Sequence, residues 1–473
     1  MCASPFNHIV VSDLHLGGGG HATELTQFLA WYAAHPADER PWRLVVAGDG
    51  IDFLHAGLAD EEHTEERAIA TLEAIVQDNR TTFAALAAFV ADGNELVFVG
   101  GNHDAELHWD GVQARLRGLL SALFVERLSG RTADLAMVRG FEARVRFCRW
   151  FFLEPGALYV EHGHQYDELC SFENILYPVG PDERIETPLS HVTLRKFNEL
   201  VHRMDLAKAE YWGLGDYVRW AVSLPRRPLM RCLFTYVTSP RWLFGLEQRM
   251  VRPKGEIGRI VRDRVRAIEA TFGLEEATLA RLDANRKAPA GRRWTSGLAM
   301  LFYDQLLLFG LCLTLLTGCL VTPLSSLWRG ALGVGLLVAT FFLSRYFAKK
   351  RDVEANDKLI AGAEAVAKVV DVPYVVFGHT HIPLVRDASK STKYVNTGSW
   401  TYEEGRTHFV VTAEQAALVR WAGTGRPVVF QSVDQSSPSL AGSTSSINAS
   451  ACAGLSPSAM TSSLPDPSSG PTL

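Results

Sequence analysis

The stretch HIVVSDLHL, residues 8–16, joins a short run of β-forming residues to a group of polar residues. Residues 8–11 have the composition of a buried strand, and Asp13 and His15 follow directly. An aspartate and a histidine two positions apart are common by chance, so this junction gains weight only from similar junctions elsewhere. Four further stretches of the chain repeat the arrangement.

All five junctions place carboxylate, amide or imidazole groups immediately after an apolar run. The later runs are 44–47, 96–99, 158–160 and 374–377, and the polar sequences after them are Gly48-Asp49-Gly-Ile-Asp52, Gly-Gly-Asn102-His103-Asp104, Glu161-His162-Gly-His164 and Gly378-His379-Thr-His381. Active sites in layered sheet folds often form where several strands end together. The sequence therefore predicts that these polar residues share one cleft.

The types of side chain in these junctions favour divalent cations. Aspartate, asparagine and histidine without cysteine suit Mn, Fe, Zn or Mg. The junctions contain more candidate ligands than one ion needs, and this surplus favours two ions that share a bridging carboxylate. Two neighbouring ions are a common arrangement in phosphoester hydrolysis. Each junction alone is also typical of an ordinary turn, and only the ordered set of five favours a metal site.

The order of the five junctions resembles that of the calcineurin-like metallophosphoesterases. The resemblance covers residues 6 to about 170 and 355 to about 415. It implies an α/β (α+β layered) fold, a β-sandwich flanked by helices, with two divalent metal ions, Mn foremost and Fe, Zn or Mg as alternatives. The implied ligands of the first ion are Asp13, His15, Asp49 and His381, and those of the second are Asp49, Asn102, His162 and His379.

The same resemblance assigns His103 to catalysis. It implies that His103 donates a proton to the leaving oxygen or stabilises charge on the phosphoryl group, oriented by a neighbour such as Asp104. Three further polar residues have two open interpretations, namely Asp52, His164 and Asp167. Each either orients a ligand imidazole or is an ordinary polar group near the cleft.

Within this family, Ser-Asp-Leu-His-Leu at 12–16 and a predicted membrane association look similar to the UDP-2,3-diacylglucosamine pyrophosphohydrolases of lipid A synthesis. Those enzymes typically have arginine where this chain has His103, and they lack so long an insertion. The substrate is thus open among phosphomonoesters, phosphodiesters and pyrophosphates, on a lipid-linked or a nucleotide-linked molecule. A non-catalytic metal-binding scaffold and a soluble protein phosphatase are the alternative functions.

Composition indicates a folded chain with several units. The 473 residues are 47% hydrophobic and 21% charged, which excludes a largely disordered chain. The net charge of −5 argues against a dedicated nucleic-acid binder, and seven cysteines without a CxxC pair indicate reduced thiols. The expected units are 1–175 and 353–430 for the two parts of the metallophosphoesterase domain, 176–296 for a basic helical insertion, 297–352 for an apolar hairpin and 431–473 for a disordered Ser-rich tail.

The apolar hairpin predicts a membrane protein. Residues 305–344 contain one charged residue, Arg329, and we expect transmembrane segments at about 305–323 and 330–348. The histidines after the hairpin must meet ligands before it, so the chain must return to the side that it left. Basic residues flank the hairpin at 286–293 and 345–351, which predicts a cytoplasmic catalytic domain. A buried hairpin in a soluble domain is the alternative.

The stretch 219–266 carries twelve Lys and Arg residues against three acidic ones, with aromatic residues between them. A basic, aromatic surface suits anionic headgroups at a bilayer. A solvated helix face is the alternative interpretation, and nucleic acid is not expected because no recognised binding motif accompanies the charge. The oligomeric state is not predicted.

Overall fold

A computed structural model describes the chain over residues 4–18, 22–56, 64–128, 133–180, 182–196, 214–249, 255–323, 325–350, 355–401, 406–422 and 425–433. Within these ranges the protein is a mixed α/β structure with two β-sheets and helices on both sides, in agreement with the layered fold class. Most of the predicted Ser-rich tail, from residue 434 onward, lies outside the described residues.

Twelve strands are found in the described residues. Their bounds are β1 Asn7–Val11, β2 Trp42–Ala47, β3 Glu95–Val99, β4 Val145–Cys148, β5 Phe151–Glu154, β6 Leu158–Glu161, β7 Tyr374–Phe377, β8 Leu384–Asp387, β9 Lys393–Asn396, β10 Thr407–Val411, β11 Ala416–Ala422 and β12 Arg426–Ser432. Seven form one sheet in the order β12-β11-β10-β1-β2-β3-β4, and five form the other in the order β5-β6-β7-β9-β8.

Parallel strands occupy the centre of each sheet. In the first sheet β1, β2, β3 and β4 are parallel, with Val10 opposite Val45 and Val45 opposite Val97. In the second sheet β6, β7 and β9 are parallel, with Val160 opposite Val376. β6 precedes the insertion and β7 follows it, so the two predicted parts of the domain complete one sheet.

The two sheets pack against each other through aliphatic side chains. Val45 and Val97 of the first sheet and Val160 and Val376 of the second are fully buried in one cluster. Successive side chains of a strand point to opposite faces, and Val46 accordingly packs in a separate cluster with the helices. The observed sandwich therefore has an inner sheet-to-sheet core and helical outer layers.

Helices cover both outer faces. Their bounds are α1 Ala22–Ala34, α2 Phe53–Ala56, α3 Glu65–Asp78, α4 Arg80–Ala91, α5 Asp110–Arg127, α6 Leu135–Glu142, α7 Leu189–Lys196, α8 Leu214–Ser223, α9 Arg226–Val237, α10 Ser239–Arg249, α11 Gly255–Phe272, α12 Glu276–Ala284, α13 Trp294–Met300, α14 Tyr303–Val321, α15 Ser326–Lys350 and α16 Ala355–Ala367. Helices α1, α3, α4 and α5 pack on the first sheet. Helices α11, α12 and α16 pack on the second, so part of the insertion belongs to the layers of the sandwich.

Helices α14 and α15 form the predicted hairpin and are long and apolar enough to cross a membrane, over Tyr303–Val321 and Ser326–Phe347. At 1.5 Å per residue, the 19 residues of α14 extend about 28 Å, close to the ~30 Å hydrocarbon core. Only 11% of the α14 window and none of the α15 window is buried. The alternative of a hairpin buried in a soluble domain does not agree with this exposure.

The carboxyl-terminal boundary of the sheet lies slightly beyond the predicted one. Strand β12 continues to Ser432, and Val433 is buried with 2% exposure. Residues 431–433 therefore belong to the second part of the domain rather than to the Ser-rich tail. The apolar side chain of Val433 explains the difference, because it packs in the inner core between the sheets.

Candidate metal centre

The predicted ligands follow the carboxyl ends of five strands, which meet at one end of the sandwich. Three of these strands are parallel neighbours in the first sheet, and two are parallel neighbours in the second. Asp13, Asp49 and Asn102 follow β1, β2 and β3, and His162 and His379 follow β6 and β7. Backbone hydrogen bonds tie these loops together, since the amide of Asp13 donates to Gly48 over 3.2 Å. The sheet topology thus collects residues that lie up to 366 positions apart in the sequence.

The backbone is strained at the predicted ligands. Of the nine non-glycine residues with positive φ in the described chain, five are candidate ligands, namely Asp13 (53°), His15 (45°), Asp49 (51°), His379 (72°) and His381 (59°). Left-handed backbone at a non-glycine residue costs of the order of 1–3 kcal/mol and is concentrated at functional sites. These backbone conformations therefore cost stability, and they position the five side chains in the cluster.

His15 is oriented by a carboxylate behind it. Its Nδ1 lies 2.7 Å from Oδ2 of Asp52, and its Nε2 faces Oδ1 of Asp13 and Oδ2 of Asp49, each at 3.9 Å. Among the described residues, Nε2 of His15 has no hydrogen-bond partner although it is buried. When Nδ1 donates to Asp52, Nε2 presents a lone pair to these oxygens, an arrangement that a cation between them would satisfy.

Asp13 is fully buried and is held from both sides. Its Oδ2 accepts a hydrogen bond from the amide of His379 over 3.1 Å, and its Oδ1 lies 3.0 Å from Nε2 of His381. Burial raises the pKa of Asp13, but the charges of His381 and His162 outweigh this effect and lower the pKa to about 2. Asp13 is therefore a carboxylate at neutral pH.

Asp49 lies between the two groups of predicted ligands. Its Oδ1 accepts a hydrogen bond from the amide of His103 over 2.8 Å, and its Oδ2 lies 3.3 Å from Nε2 of His162 and 3.9 Å from Nε2 of His15. Burial raises its pKa, but His162 and His103 outweigh burial and hold the pKa well below its usual range. One oxygen of Asp49 thus faces an imidazole from each predicted metal site, as a bridging ligand requires.

His162 presents its second nitrogen to two oxygens. Its Nδ1 lies 2.9 Å from the carbonyl oxygen of Ala47, and its Nε2 lies 3.0 Å from Oδ1 of Asn102 and 3.3 Å from Oδ2 of Asp49. Burial lowers the pKa of His162, but Asp49 outweighs it and raises the pKa to about 9. The proton that this raised pKa places on the imidazole occupies the position that a divalent cation would take.

The side chains of the remaining two histidines contact different carboxylates. Nε2 of His381 belongs with Asp13 and His15 in a group whose ligand atoms are within 4.8 Å of one another. Nε2 of His379 lies 3.3 Å from Oδ2 of Asp167, and its ring is 5.1 Å from that of His162. The structure therefore brings His379 beside the second predicted site with one ring nitrogen turned toward Asp167.

The catalytic candidate His103 lies at the margin of the cluster, with its side chain 17% exposed. Its Nδ1 is 3.2 Å from Oδ1 of Asp52, and its ring packs edge-on against His15 at 4.7 Å. Burial lowers the pKa of His103, but Asp52 and Asp49 outweigh it and raise the pKa to about 10. His103 is therefore protonated near neutral pH and is able to donate a proton.

We expected Asp104 to orient His103, but the two oxygens of Asp104 accept hydrogen bonds from backbone amides. Oδ2 of Asp104 accepts from the amide of Gly50 over 2.9 Å, and its Oδ1 accepts from the amide of Gly101 over 2.6 Å. Burial and the charge of Asp49 raise the pKa of Asp104 to about 7. Asp104 thus joins two ligand-bearing loops, and Asp52 orients His103 instead.

The structure decides between the open interpretations of Asp52, His164 and Asp167. Asp52 and Asp167 contact imidazoles of predicted ligands, at His15 and at His379 respectively. His164 instead lies with its Nε2 2.7 Å from Nε2 of Gln165, and burial holds its pKa well below the usual range. His164 is therefore a neutral buried residue behind the cluster.

Two residues at the site were missed by sequence reasoning. Nδ1 of His55 lies 2.6 Å from Oδ2 of Asp52, and its ring stacks on His103 at 5.7 Å. Nε2 of His191, in α7, lies 3.4 Å from Nδ2 of Asn102, and its ring is 5.3 Å from His103. The spacing of three residues after Asp52 could have indicated His55, whereas no local signal marks His191, which enters from the insertion.

The carboxylates and imidazoles of the cluster could hold a divalent cation, because they face one another and include a buried nitrogen, Nε2 of His15, without a hydrogen-bond partner among the described residues. Comparison with known proteins adds no further assignment. The chain matches no family model, no curated protein and no solved structure. The interpretation of the site therefore depends on its geometry and on the motifs that build it.

Proposed function

We propose that the protein is a metal-dependent phosphoesterase of the calcineurin-like class, with two divalent ions in the cluster. The observation that carries the proposal is the orientation of Asp49, whose Oδ2 faces Nε2 of His15 on one side and Nε2 of His162 on the other. A carboxylate oxygen that faces one imidazole nitrogen from each ligand group is the arrangement expected of a ligand that bridges two ions. The raised pKa of His162 and the unpartnered Nε2 of His15 support the same interpretation.

The residues fall into two ligand groups around Asp49. The first ion would be held by Asp13, His15, Asp49 and His381, and the second by Asp49, Asn102, His162 and His379. When bound, two such ions would neutralise charge on the phosphoryl oxygens and lower the pKa of a water molecule toward ~7. Mn is our first candidate, and Fe, Zn and Mg have the same preference for oxygen and nitrogen ligands.

His103 is the proposed proton donor. Its ring lies beside both ligand groups without facing a carboxylate of Asp13 or Asp49, and Asp52 fixes it by accepting from Nδ1. With Nδ1 on Asp52, Nε2 is the ring nitrogen that would donate to the leaving oxygen of a substrate. The carboxylate of Asp52 favours the charged form of the imidazole, which would stabilise a phosphoryl group and protonate a departing alkoxide.

We propose that the substrate is lipid-linked and is reached at the cytoplasmic surface of a membrane. Helix α9 supports this view, because its carboxyl end is fixed to the start of the apolar helix α14. The rings of Tyr236 and Tyr303 stack at 4.8 Å, and the hydroxyl of Tyr236 donates to the carbonyl of Leu301. Met230 and Phe234 of α9 are 64% and 71% exposed beside several arginines, as an interfacial helix requires.

Alternative functions differ in substrate or in catalysis. A UDP-2,3-diacylglucosamine pyrophosphohydrolase-like activity would use the same metals on a nucleotide-linked lipid, with His103 in the position where those enzymes typically carry arginine. A membrane-anchored scaffold would bind metal without turnover. The close contact of His103 with Asp52 favours an enzyme, since a scaffold has no need for an oriented imidazole beside the ligands.

The experiment that tests the proposal is metal analysis combined with a substrate screen on the detergent-solubilised protein. We expect two divalent ions per chain and hydrolysis of bis-p-nitrophenyl phosphate in the presence of Mn. Lipid and nucleotide phosphoesters, tested in parallel, identify the substrate class. Two bound ions without turnover of any phosphoester would favour the scaffold, and absence of bound metal would contradict both.

A further inference from the structure

A cleft of about 600 Å³ opens at the edge of the sandwich, and none of the predicted metal ligands lines it. Its position follows from the topology, because β4 and β5 are the outer strands of the two sheets and residues 149–150 connect them. Helix α11 of the insertion and the end of α6 form the other walls. The cleft is within the 300–1,000 Å³ range typical of small-molecule sites.

Positive charge dominates the lining of this edge cleft. The five arginines at its walls are Arg117, Arg139, Arg146, Arg149 and Arg264, and the acidic residue among the lining residues is Glu142. Two of the arginines have carboxylate partners, since Arg146 lies 3.7 Å from Glu95 and Arg149 pairs with Asp110. No ion pair joins Arg117, Arg139 or Arg264 to any carboxylate in the described part of the chain.

The guanidinium group of Arg264 is partly shielded from water. Its guanidinium donates to the carbonyl of His108 over 3.0 Å and lies over the ring of Tyr177, 4.7 Å from the centroid. Burial and the nearby charge of Arg149 lower the pKa of Arg264 to about 10. Asp110, which pairs with Arg149, offsets part of the repulsion between these two cations, and an anion bound between them would offset more of it.

The floor of the edge cleft is apolar. Phe147, Trp150, Phe151 and Phe272 line it beside the guanidinium groups. The guanidinium of Arg117 lies 5.1 Å from the centroid of the Phe147 ring, so charge and aromatic surface are in direct contact. Trp150 and Phe151 are already buried, but a purely inorganic anion would leave the half-buried rings of Phe147 and Phe272 uncovered, whereas a molecule with an apolar part would cover them.

We propose that the edge cleft binds a small phosphorylated molecule that carries an apolar or aromatic group, with the phosphate on the arginines and the apolar group on the aromatic floor. Arginine forks suit phosphate because they donate two parallel hydrogen bonds to it. The apolar group has two possible sources, an acyl chain or an aromatic base. This proposal does not depend on the metal-dependent activity.

Calorimetry on the full-length, detergent-solubilised protein tests the proposal with hydrolysis-resistant probes. Hexylphosphonate represents the acyl source, phenylphosphonate the aromatic source, and inorganic phosphate the anion alone. We expect at least one phosphonate to bind at least tenfold more tightly than phosphate. The phosphonate that binds more tightly identifies the source of the apolar group. Because surface charge is screened within ~3 Å at 1 M salt, the affinity should also fall as salt is raised.

Two variants locate the binding. Arg139→Glu reverses one exposed charge of the cleft, and Ala267→Trp adds bulk from α11 without changing charge. We expect each to weaken phosphonate binding at least tenfold while leaving the thermal denaturation midpoint unchanged. Arg80→Glu, which reverses an exposed arginine outside the edge cleft, is the matched control and should leave the affinity unchanged, whereas Asp49→Asn removes any binding at the metal cluster. The proposal is overturned if no probe binds, if phosphate binds as tightly as both phosphonates, or if binding is lost in Asp49→Asn and kept in the two cleft variants.

Discussion

The carboxylate of Asp52 accepts a hydrogen bond from Nδ1 of His15 over 2.7 Å, and its other oxygen lies 3.2 Å from Nδ1 of His103. One buried side chain therefore orients a predicted metal ligand and the predicted proton donor together. Through Nδ1 of each ring, Asp52 determines which nitrogen faces the cleft. It is a positioning residue that acts through both imidazoles.

Replacement of Asp52 by alanine should impair metal binding and hydrolysis together. We expect Asp52→Ala to weaken the affinity for one of the two ions by 10–100-fold, the range typical of lost partners behind ligand histidines. Metal titration followed by tryptophan fluorescence or calorimetry measures the two affinities separately. Asp92→Asn, which changes an exposed carboxylate outside the cluster, is the control. Unchanged affinities in Asp52→Ala would show that His15 needs no support.

His103→Ala should separate metal binding from catalysis. Loss of a general acid costs about 10²–10⁴-fold in rate, whereas both ions should remain because the His103 ring faces Asp52 rather than the ligand carboxylates. Rates measured for substrates with good and poor leaving groups distinguish its two roles. A smaller loss on the good leaving group indicates proton donation, and equal losses indicate charge stabilisation. A variant that loses metal would contradict this assignment.

His408 should make the fold sensitive to acid. It is fully buried, with Nε2 2.7 Å from the hydroxyl of Tyr32, and burial lowers its pKa from 6.5 to about 3. Below pH 6.5 the imidazole of His408 therefore binds a proton in the unfolded chain, whereas in the folded chain it stays neutral down to about pH 3. The free energy of unfolding contributed by this group falls by up to ~1.4 kcal/mol per pH unit between about 6.5 and 3.

The variant His408→Gln tests this prediction, because glutamine still accepts from the Tyr32 hydroxyl and does not titrate. Thermal denaturation midpoints recorded from pH 7.5 to 4.5 should fall less steeply for His408→Gln than for the unmodified protein. Other buried histidines destabilise both proteins equally, so the difference in slope isolates His408. Parallel slopes would mean that the His408 ring is protonated in the fold.

Removal of the hairpin should leave the protein attached to membranes by charge alone. The unmodified protein is expected to pellet with membranes in 1 M salt and to need detergent for release, since salt screens charge but not apolar insertion. Replacement of 304–350 by a flexible linker keeps Tyr303, which stacks on Tyr236, and should give a protein that salt alone releases. It should still hydrolyse a small soluble phosphodiester. An unmodified protein that is soluble without detergent would contradict the membrane proposal.

Much of the geometry of the candidate site could be predicted because its proposed ligands directly follow strand ends. An apolar run followed by Asp49 or His162 is a pattern that a few residues of sequence contain, and parallel pairing then fixes the edge at which they meet. The orienting role of Asp52 could not be separated from that of Asp104 in this way. Both are carboxylates near His103, and only the direction of each side chain decides which one contacts the ring.

Contacts between segments that are far apart in the sequence could not be predicted from it. His191 reaches Asn102 from a helix 89 positions later, and no periodicity indicates that approach. The edge cleft likewise depends on where α11 packs, because Arg264 is simply one of twelve basic residues in 219–266 until the fold places it beside Arg149. The basic surface stays a prediction, and the structure adds that α11 of this stretch packs on the second sheet.

The metal content of Asp49→Ala tests the central claim most directly. Asp49 Oδ2 faces Nε2 of both His15 and His162, so its removal should take a shared ligand from both ions at once. Elemental analysis after equilibration with Mn should give about two ions per chain for the unmodified protein and none for Asp49→Ala, with hydrolysis abolished. Asp167→Asn, beside one ligand only, should keep the first ion. Two ions retained by a folded Asp49→Ala protein would contradict the bridged two-metal site.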